Sequence, residues 1–277
     1  MGLADDDTRV SRRNVLRASG GAFGFGFLPW DDSEDDDQTT GFDVTVPCPD
    51  VTVGASMEHY SHEGMQNCGD DHPATEEIQA AVKHSLETNY PTVGSLIDQG
   101  YVPYFDFLAE QGERGWSHWL NPGYIDDDSV LNPERPESIL VDHKWWRPIG
   151  VMFIATRDGN RVDPPPAVYG DDEQCLPWHA HTGLPGLKTW AKYWTAYGDF
   201  AISEILEFPC RTPWMMHVWA YPHPRSVYAH GAPPRGHRGG PPAEDAGFDT
   251  SAEPGDDLLG PEVLPDALIH RVTHLEL

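Results

Sequence analysis

Basic residues are scarce in this chain. Eighteen lysines and arginines stand against 45 aspartates and glutamates, a formal charge of −27. Nucleic acid and anionic membrane surfaces recruit basic faces, so neither is an expected partner. The same imbalance points to a salt-loving source, because at ~1 M salt the Debye length falls to about 3 Å and the self-repulsion of such a surface is screened. Cysteine is sparse too. Cys48, Cys68, Cys175 and Cys210 are the only four, and no two stand in a C-x-x-C spacing, which argues against a structural zinc site made of thiolates. G-x-S-x-G and Walker motifs are missing, and no G-x-G-x-x-G opens a helix, which removes the corresponding hydrolase, P-loop and dinucleotide readings. Long apolar runs are lacking as well. The stretch before Pro29 is short of the ~20 residues that a membrane-spanning helix requires, so no stable span is expected.

Aromatic residues are abundant. Ten tryptophans, with 39% hydrophobic residues in a chain of 277, are ample for one large domain or two small ones. Residues 1–30 read as a twin-arginine-type export signal, with Arg12 and Arg13 ahead of Val15, Leu16 and a small, apolar stretch. Residues 31–41 form an acidic linker, 42–230 a single metal-binding domain, and 231–277 a tail rich in proline, glycine and acids, expected to be mobile. Export to an extracellular or cell-surface location permits disulfides. Proximity along the chain favours Cys48 with Cys68 and Cys175 with Cys210.

The expected fold is α+β, with N-terminal helices packed on an antiparallel β-sheet or partial β-barrel. An extended segment is predicted in "FDVTVPCPDVTV", followed by a polar loop through "HYSHEGMQNCGDDHP". "HPATEEIQAAVKHSLETNY" predicts a helix with Thr75 as a possible N-cap and Ile78, Val82 and Leu86 on one face, ended by Pro91. "TVGSLIDQGY" predicts a short helical piece stopped by Gly100. "GWSHWLNP", "ESILVDHKW", "RPIGVMFIATRDGN" and "PWMMHVWAYPHP" read as strands, with "RDGN" as a turn, and "LKTWAKYWTAYGDFAISEILEF" as one or two helices.

The chemistry sits in the histidines. In "CLPWHAHTGLP" a strand would send His179 and His181 to one face, the spacing for two ligands on a common ion. The same alternation groups His217 with Trp219 and Tyr221, and His118 with Trp116. A Cys175–Cys210 bridge would draw the segments of His179 and His217 together. Glu137, opening the strand after His118, is the expected oxygen ligand. His118, Glu137, His179, His181 and His217 are thus the predicted ligands of one transition-metal ion, whether zinc, copper, iron or manganese, with Trp116, Trp178, Trp219 and Tyr221 lining a pocket. Met215 and Met216 face opposite ways, so at most one joins His217; core packing is the expected role of both. His59, His62 and His72 fall in a loop that could form a separate metal patch, and His223, His230 and His237 in a Pro/Gly-rich stretch.

The order of "GYVPYFDFL", "HWLNPGYIDDDSVLNPERPESILVD", "GVMFIA" and "MMHVWAYPHP" resembles a family of uncharacterised exported proteins. Its features are a Gly-Tyr step after a helix, His-x-x-Asn-Pro, Arg-Pro-Glu and a late His-Val-Trp strand. The resemblance spans residues 74–229 and implies matching positions at His118, Asn121, Pro122, Arg135, Pro136, Glu137, His217 and Trp219, without implying an activity. A looser analogy is to the cupins, which place three histidines and a glutamate on one metal; there the His-x-His pair precedes the glutamate, whereas here Glu137 comes first.

The expected function is that of an exported metal-binding protein, with a hydrolase- or oxygenase-type reaction on a small molecule as one reading. A non-enzymatic metal or ligand binder, or a structural cell-surface component, is the other.

Overall fold

The computed structural model describes residues 56–104, 115–170, 174–182 and 211–273. The expected extended segment at 42–53, the helices at 187–208, the export signal and the acidic linker lie outside those residues.

Strand β1 (Ser56–His59) is followed by helices α1 (His62–Gln66), α2 (Pro73–Asn89) and α3 (Val93–Asp98). Then come β2 (Val102–Pro103), β3 (Trp116–Leu120), α4 (Pro122–Ile125), β4 (Ser138–Asp142) and β5 (Arg147–Ile154). A hairpin of β6 (Thr156–Arg157) and β7 (Asn160–Arg161), β8 (His179–Thr182), β9 (Met215–Trp219) and α5 (Asp266–Thr273) complete the described elements. The fold is α+β, as expected. Its helices are not confined to the N-terminal part, since α4 and α5 follow later. None of the described helices is long and apolar enough to cross a membrane.

Helix α2 has its N-cap three residues earlier than the expected Thr75. His72 is its N-cap, with Nδ1 accepting from the Ala74 N–H at 3.2 Å, while Thr75 lies inside the helix and is buried. Val82 and Leu86 are buried, and α2 packs against β5 and β9. Helix α3 starts in a capping box, in which Thr92 Oγ1 accepts from Ser95 N and Ser95 Oγ from Thr92 N, and Gly100 follows at φ +86°. The loop expected through residues 59–73 instead carries part of β1 and all of α1. The Ser61 hydroxyl caps α1 by accepting from Gly64 N at 2.9 Å.

Seven strands form one antiparallel sheet in the order β1-β8-β9-β5-β4-β3-β2. Every residue of β4 and β9 is buried, so both faces of these central strands are covered. Directly paired residues share a face, which makes His118, Leu140, Gly150 and Trp219 one transverse row. In a flat sheet the ends of that row would lie about 14 Å apart, three strand spacings. Yet the rings of Trp116 and Trp219, on the same two outer strands, have centroids only 5.4 Å apart. The sheet therefore curls toward this face. A bulge between Leu140 and Val141 bends β4, and Gly150 leaves room where a Cβ would fall 2.9 Å from Trp219 Cε3.

The disulfide joins Cys68 to Cys175, with Cα atoms 4.7 Å apart. This corrects both local pairings; Cys48 and Cys210 themselves lie outside the described residues. The cause is topological. β1 runs antiparallel to β8, so the chain leaving β1 meets the chain approaching β8: Tyr60 N donates to Trp178 O, and Leu176 N to Gly64 O, each at 2.9 Å. Partners far apart in sequence become neighbours.

Residues 231–273, read from composition as a mobile tail, are tied by hydrogen bonds to β4, to the β4–β5 turn and to α3. Arg238, 6% exposed, donates through Nη1 to Asp142 Oδ2 at 2.7 Å and through Nε to Pro233 O at 2.8 Å. Leu259 N reaches His143 O, Ala243 N reaches Trp145 O, and Gly94 N reaches Ala246 O. A proline- and glycine-rich segment forms few ladders of its own, but its backbone groups can still be satisfied by a neighbouring surface.

Candidate metal centre

The curled face collects histidines from three strands and one loop. On β8, His179 and His181 project the same way; His179 pairs with Met215 of β9, which places His217 on that face two residues further on. His118 of β3 enters from the other side of the curl. The β8–β9 junction is held beyond the ladder by Thr212, whose Oγ1 accepts from His181 N at 2.9 Å while its N–H donates to His181 O at 3.0 Å. These contacts join the two segments without the Cys175–Cys210 bridge invoked from the sequence.

His179, His181 and His230 each offer a ring nitrogen within 4.8 Å of the other two. His179 is buried, His181 half-buried and His230 exposed, so the group runs from the interior to the surface. Three histidines so placed could hold a metal ion. Beside them, the His217 ring lies 5.4 Å from His179 and 5.2 Å from His230, centroid to centroid. On its far side His217 Nε2 stands 3.2 Å from His118 Nε2.

Burial sets the protonation of the deep rings. His179 is 3% exposed and its pKa lies well below the ordinary imidazole value, first because burial penalises the cation, then because His230, His181, His59 and His118 crowd it with like charge. His217, 1% exposed, is lowered well below its usual value for the same leading reason, with His118, His179 and His230 adding to it. Both are neutral imidazoles at neutral pH, the form that offers a lone pair to a metal. Nε2 of His179 has no hydrogen-bond partner among the described residues. A buried polar nitrogen left so costs free energy, on the order of 1–3 kcal/mol, unless something else occupies it.

Trp116 and Trp219 lie beside His118 and His217. Trp116 lies 5.0 Å from His118 and 6.1 Å from His217, and Trp219 lies 5.6 Å from His217. Trp178 and Tyr221 are placed elsewhere. Trp178 precedes His179 by one residue, faces the opposite way, and donates its indole N–H to Pro166 O at 2.7 Å. Tyr221 lies past the end of β9, where its hydroxyl accepts from Arg147 Nη2 at 3.2 Å. Glu137 also has other company. Alternation that puts Ser138 on the histidine face turns Glu137 away, and its Oε2 accepts from Ile154 N at 3.2 Å. Of the two adjacent methionines, Met215 shares the His217 face and Met216 the other, both buried.

His59, on β1, pairs with His179 and so borders the group; His62 lies 5.6 Å beyond it. His72 stacks on Tyr169 at 3.5 Å, and His223 bonds Gly231 O, so these two are used structurally.

His230 escapes a sequence reading because nothing periodic marks it. After β9 the chain folds back: Trp219 N donates to Val227 O at 3.0 Å, and Trp219 Nε1 to Ala229 O at 2.6 Å. That indole bond sets down the residue before His230 against the strand that carries His217.

No protein-family model, curated protein or solved structure matches this chain. Its function is argued from the site.

Proposed function

We propose that the protein is an exported metal-binding protein whose centre holds a transition-metal ion on His179, His181 and His230, in a hollow walled by Trp116 and Trp219. The observation that carries the reading is the mutual approach of three imidazole nitrogens within 4.8 Å, one of them on a buried ring whose Nε2 has no hydrogen-bond partner among the described residues. Three nitrogen ligands suit zinc, iron, manganese or copper and leave at least one coordination position for water or substrate. With an ion bound, such a position supplies Lewis-acid polarisation of a carbonyl or activation of water or dioxygen, which favours a hydrolase- or oxygenase-type enzyme. The protein's own contribution is to keep His179 and His217 neutral, to orient His181 through its backbone bonds with Thr212, and to shield the interior end with indole rings. Export is supported by Arg12 and Arg13 in the leader and by the Cys68–Cys175 disulfide, which an oxidising compartment maintains. The acidic composition supports a salt-rich setting.

Elemental analysis and calorimetric titration with Zn(II), Cu(II), Fe(II) and Mn(II) test the reading. Wild-type protein is expected to bind stoichiometrically, and His179→Ala, His181→Ala and His230→Ala each to weaken binding with the circular-dichroism spectrum preserved. Undiminished binding in all three folded variants rejects the assignment. Stoichiometric metal without turnover of any hydrolysable or oxidisable probe favours a metal carrier over an enzyme.

A further inference from the structure

The five clustered histidines do not converge on one point. The group whose nitrogens lie within 4.8 Å of one another comprises His179, His181 and His230, while His118 and His217 form a separate pair beside it. Within that pair the two Nε2 atoms are 3.2 Å apart. Two nitrogens bound to one tetrahedral ion at about 2.05 Å stand roughly 3.3 Å from each other. The pair thus already has the separation that shared coordination demands. It is also next to the first group, since the His217 ring lies 5.2 Å from His230 and 5.4 Å from His179.

Resting on the metal-binding reading above, we infer that the centre is built for two transition-metal ions, one on His179, His181 and His230 and a second on His118 and His217. With two ligands from the described residues, the second ion keeps further positions for oxygen donors. Water, hydroxide or a carboxylate- or phosphate-bearing small molecule held between two such ions is the ligand class that this arrangement takes. The surroundings fit that use. Trp116 and Trp219 lie against His217, while exposed His230 leaves the first position open to solvent. The other occupant of a 3.2 Å gap between imidazoles is a proton, in a histidine-to-histidine hydrogen bond, and the test separates the two.

The experiment uses the full chain, stripped with chelator and reconstituted with excess Co(II) or Cu(II), then freed of unbound ion. Two ions per chain are expected, with a spin-coupled Cu(II) resonance spectrum. In His118→Gln and His217→Gln, which keep a similar volume, the content should fall to one ion per chain and the spectrum should become that of an isolated Cu(II). One ion per wild-type chain, lost in His179→Ala, overturns the second site while leaving the metal-binding reading intact. Two ions retained in both glutamine variants overturns the assignment of the pair. No bound ion in folded wild-type protein overturns both readings. Wild-type stoichiometry and spectrum decide the matter even where a variant fails to fold.

Discussion

His118 Nε2 and His217 Nε2 lie 3.2 Å apart although two whole strands, β4 and β5, run between the strands that carry them. Side chains on a flat sheet stand roughly perpendicular to it, so this approach depends on the curl, and the curl depends on Gly150. A Cβ there would fall 2.8 Å from Val218 O and 2.9 Å from Trp219 Cε3. Gly150→Ala is expected to lower stability by about 1–3 kcal/mol, the usual cost of overpacking a core. Urea titration would read this as a reduced midpoint. Because Trp219 must shift, metal affinity should fall in the same variant. A midpoint and an affinity both equal to wild type would show that the curl does not need the bare residue.

The Cys68–Cys175 bridge closes a loop with a sequence separation of 107 and lies four residues ahead of His179. Loop-closure entropy puts the stabilisation from a bridge of this span near its upper range, about 4–5 kcal/mol. A Cys68→Ala, Cys175→Ala double variant is expected to lose that much in urea titration. It should also bind metal less tightly, because the approach to β8 is no longer tethered. Full affinity in the variant would show that the β1–β8 ladder alone positions His179.

How much of this could be read beforehand follows from what each residue depends on. Helices α2 and α3, and the strands around His118, Glu137, Gly150 and His217, carry period and punctuation in their own residues, so they were legible. So was the shared face of His179 and His181, a property of any strand. Glu137 misleads because its type is right for a ligand while its parity is not: one position before Ser138, it belongs to the other side. His230 and the bridge partners of Cys68 and Cys175 depend on which strands become neighbours and how the chain returns after β9. Those contacts are long-range, and local pattern does not encode them.

The segment beyond β9 illustrates the same limit, and a pair of arginines tests it. Arg238 and Asp142 are 6% and 1% exposed and joined at 2.7 Å, whereas Arg135, paired with Asp127 at 3.0 Å, is substantially solvent-exposed. Removing one partner of a buried pair strands a charge, so Arg238→Ala should cost about 3–5 kcal/mol. Arg135→Ala should cost at most about 1 kcal/mol. Chemical denaturation of both variants, with limited proteolysis of the C-terminal segment in the first, checks the contrast. Equal, small losses would mean that residues 231–273 contribute little to holding the fold.

Glu137 provides a pH signature that separates it from the histidine group. Burial raises its pKa to about 8, reinforced by Asp127 and opposed by hydrogen bonds from the backbone N–H groups of Glu137 and Ile154. The unfolded chain gives up this proton in the ordinary carboxyl range, while the folded chain keeps it until about pH 8. Across that window the unfolded state binds fewer protons than the native state, so this group makes stability fall as pH rises, with no further loss above about pH 8. Glu137→Gln keeps the shape without the titration. Its stability should therefore decline less steeply than wild type through the window, and exceed it at higher pH, in urea midpoints measured across a pH series. Metal content should be unchanged, since the Glu137 side chain reaches the Ile154 backbone rather than the imidazoles. A variant that follows the wild-type pH profile would show that Glu137 is ionised in the folded protein, and a loss of metal would return it to the ligand set.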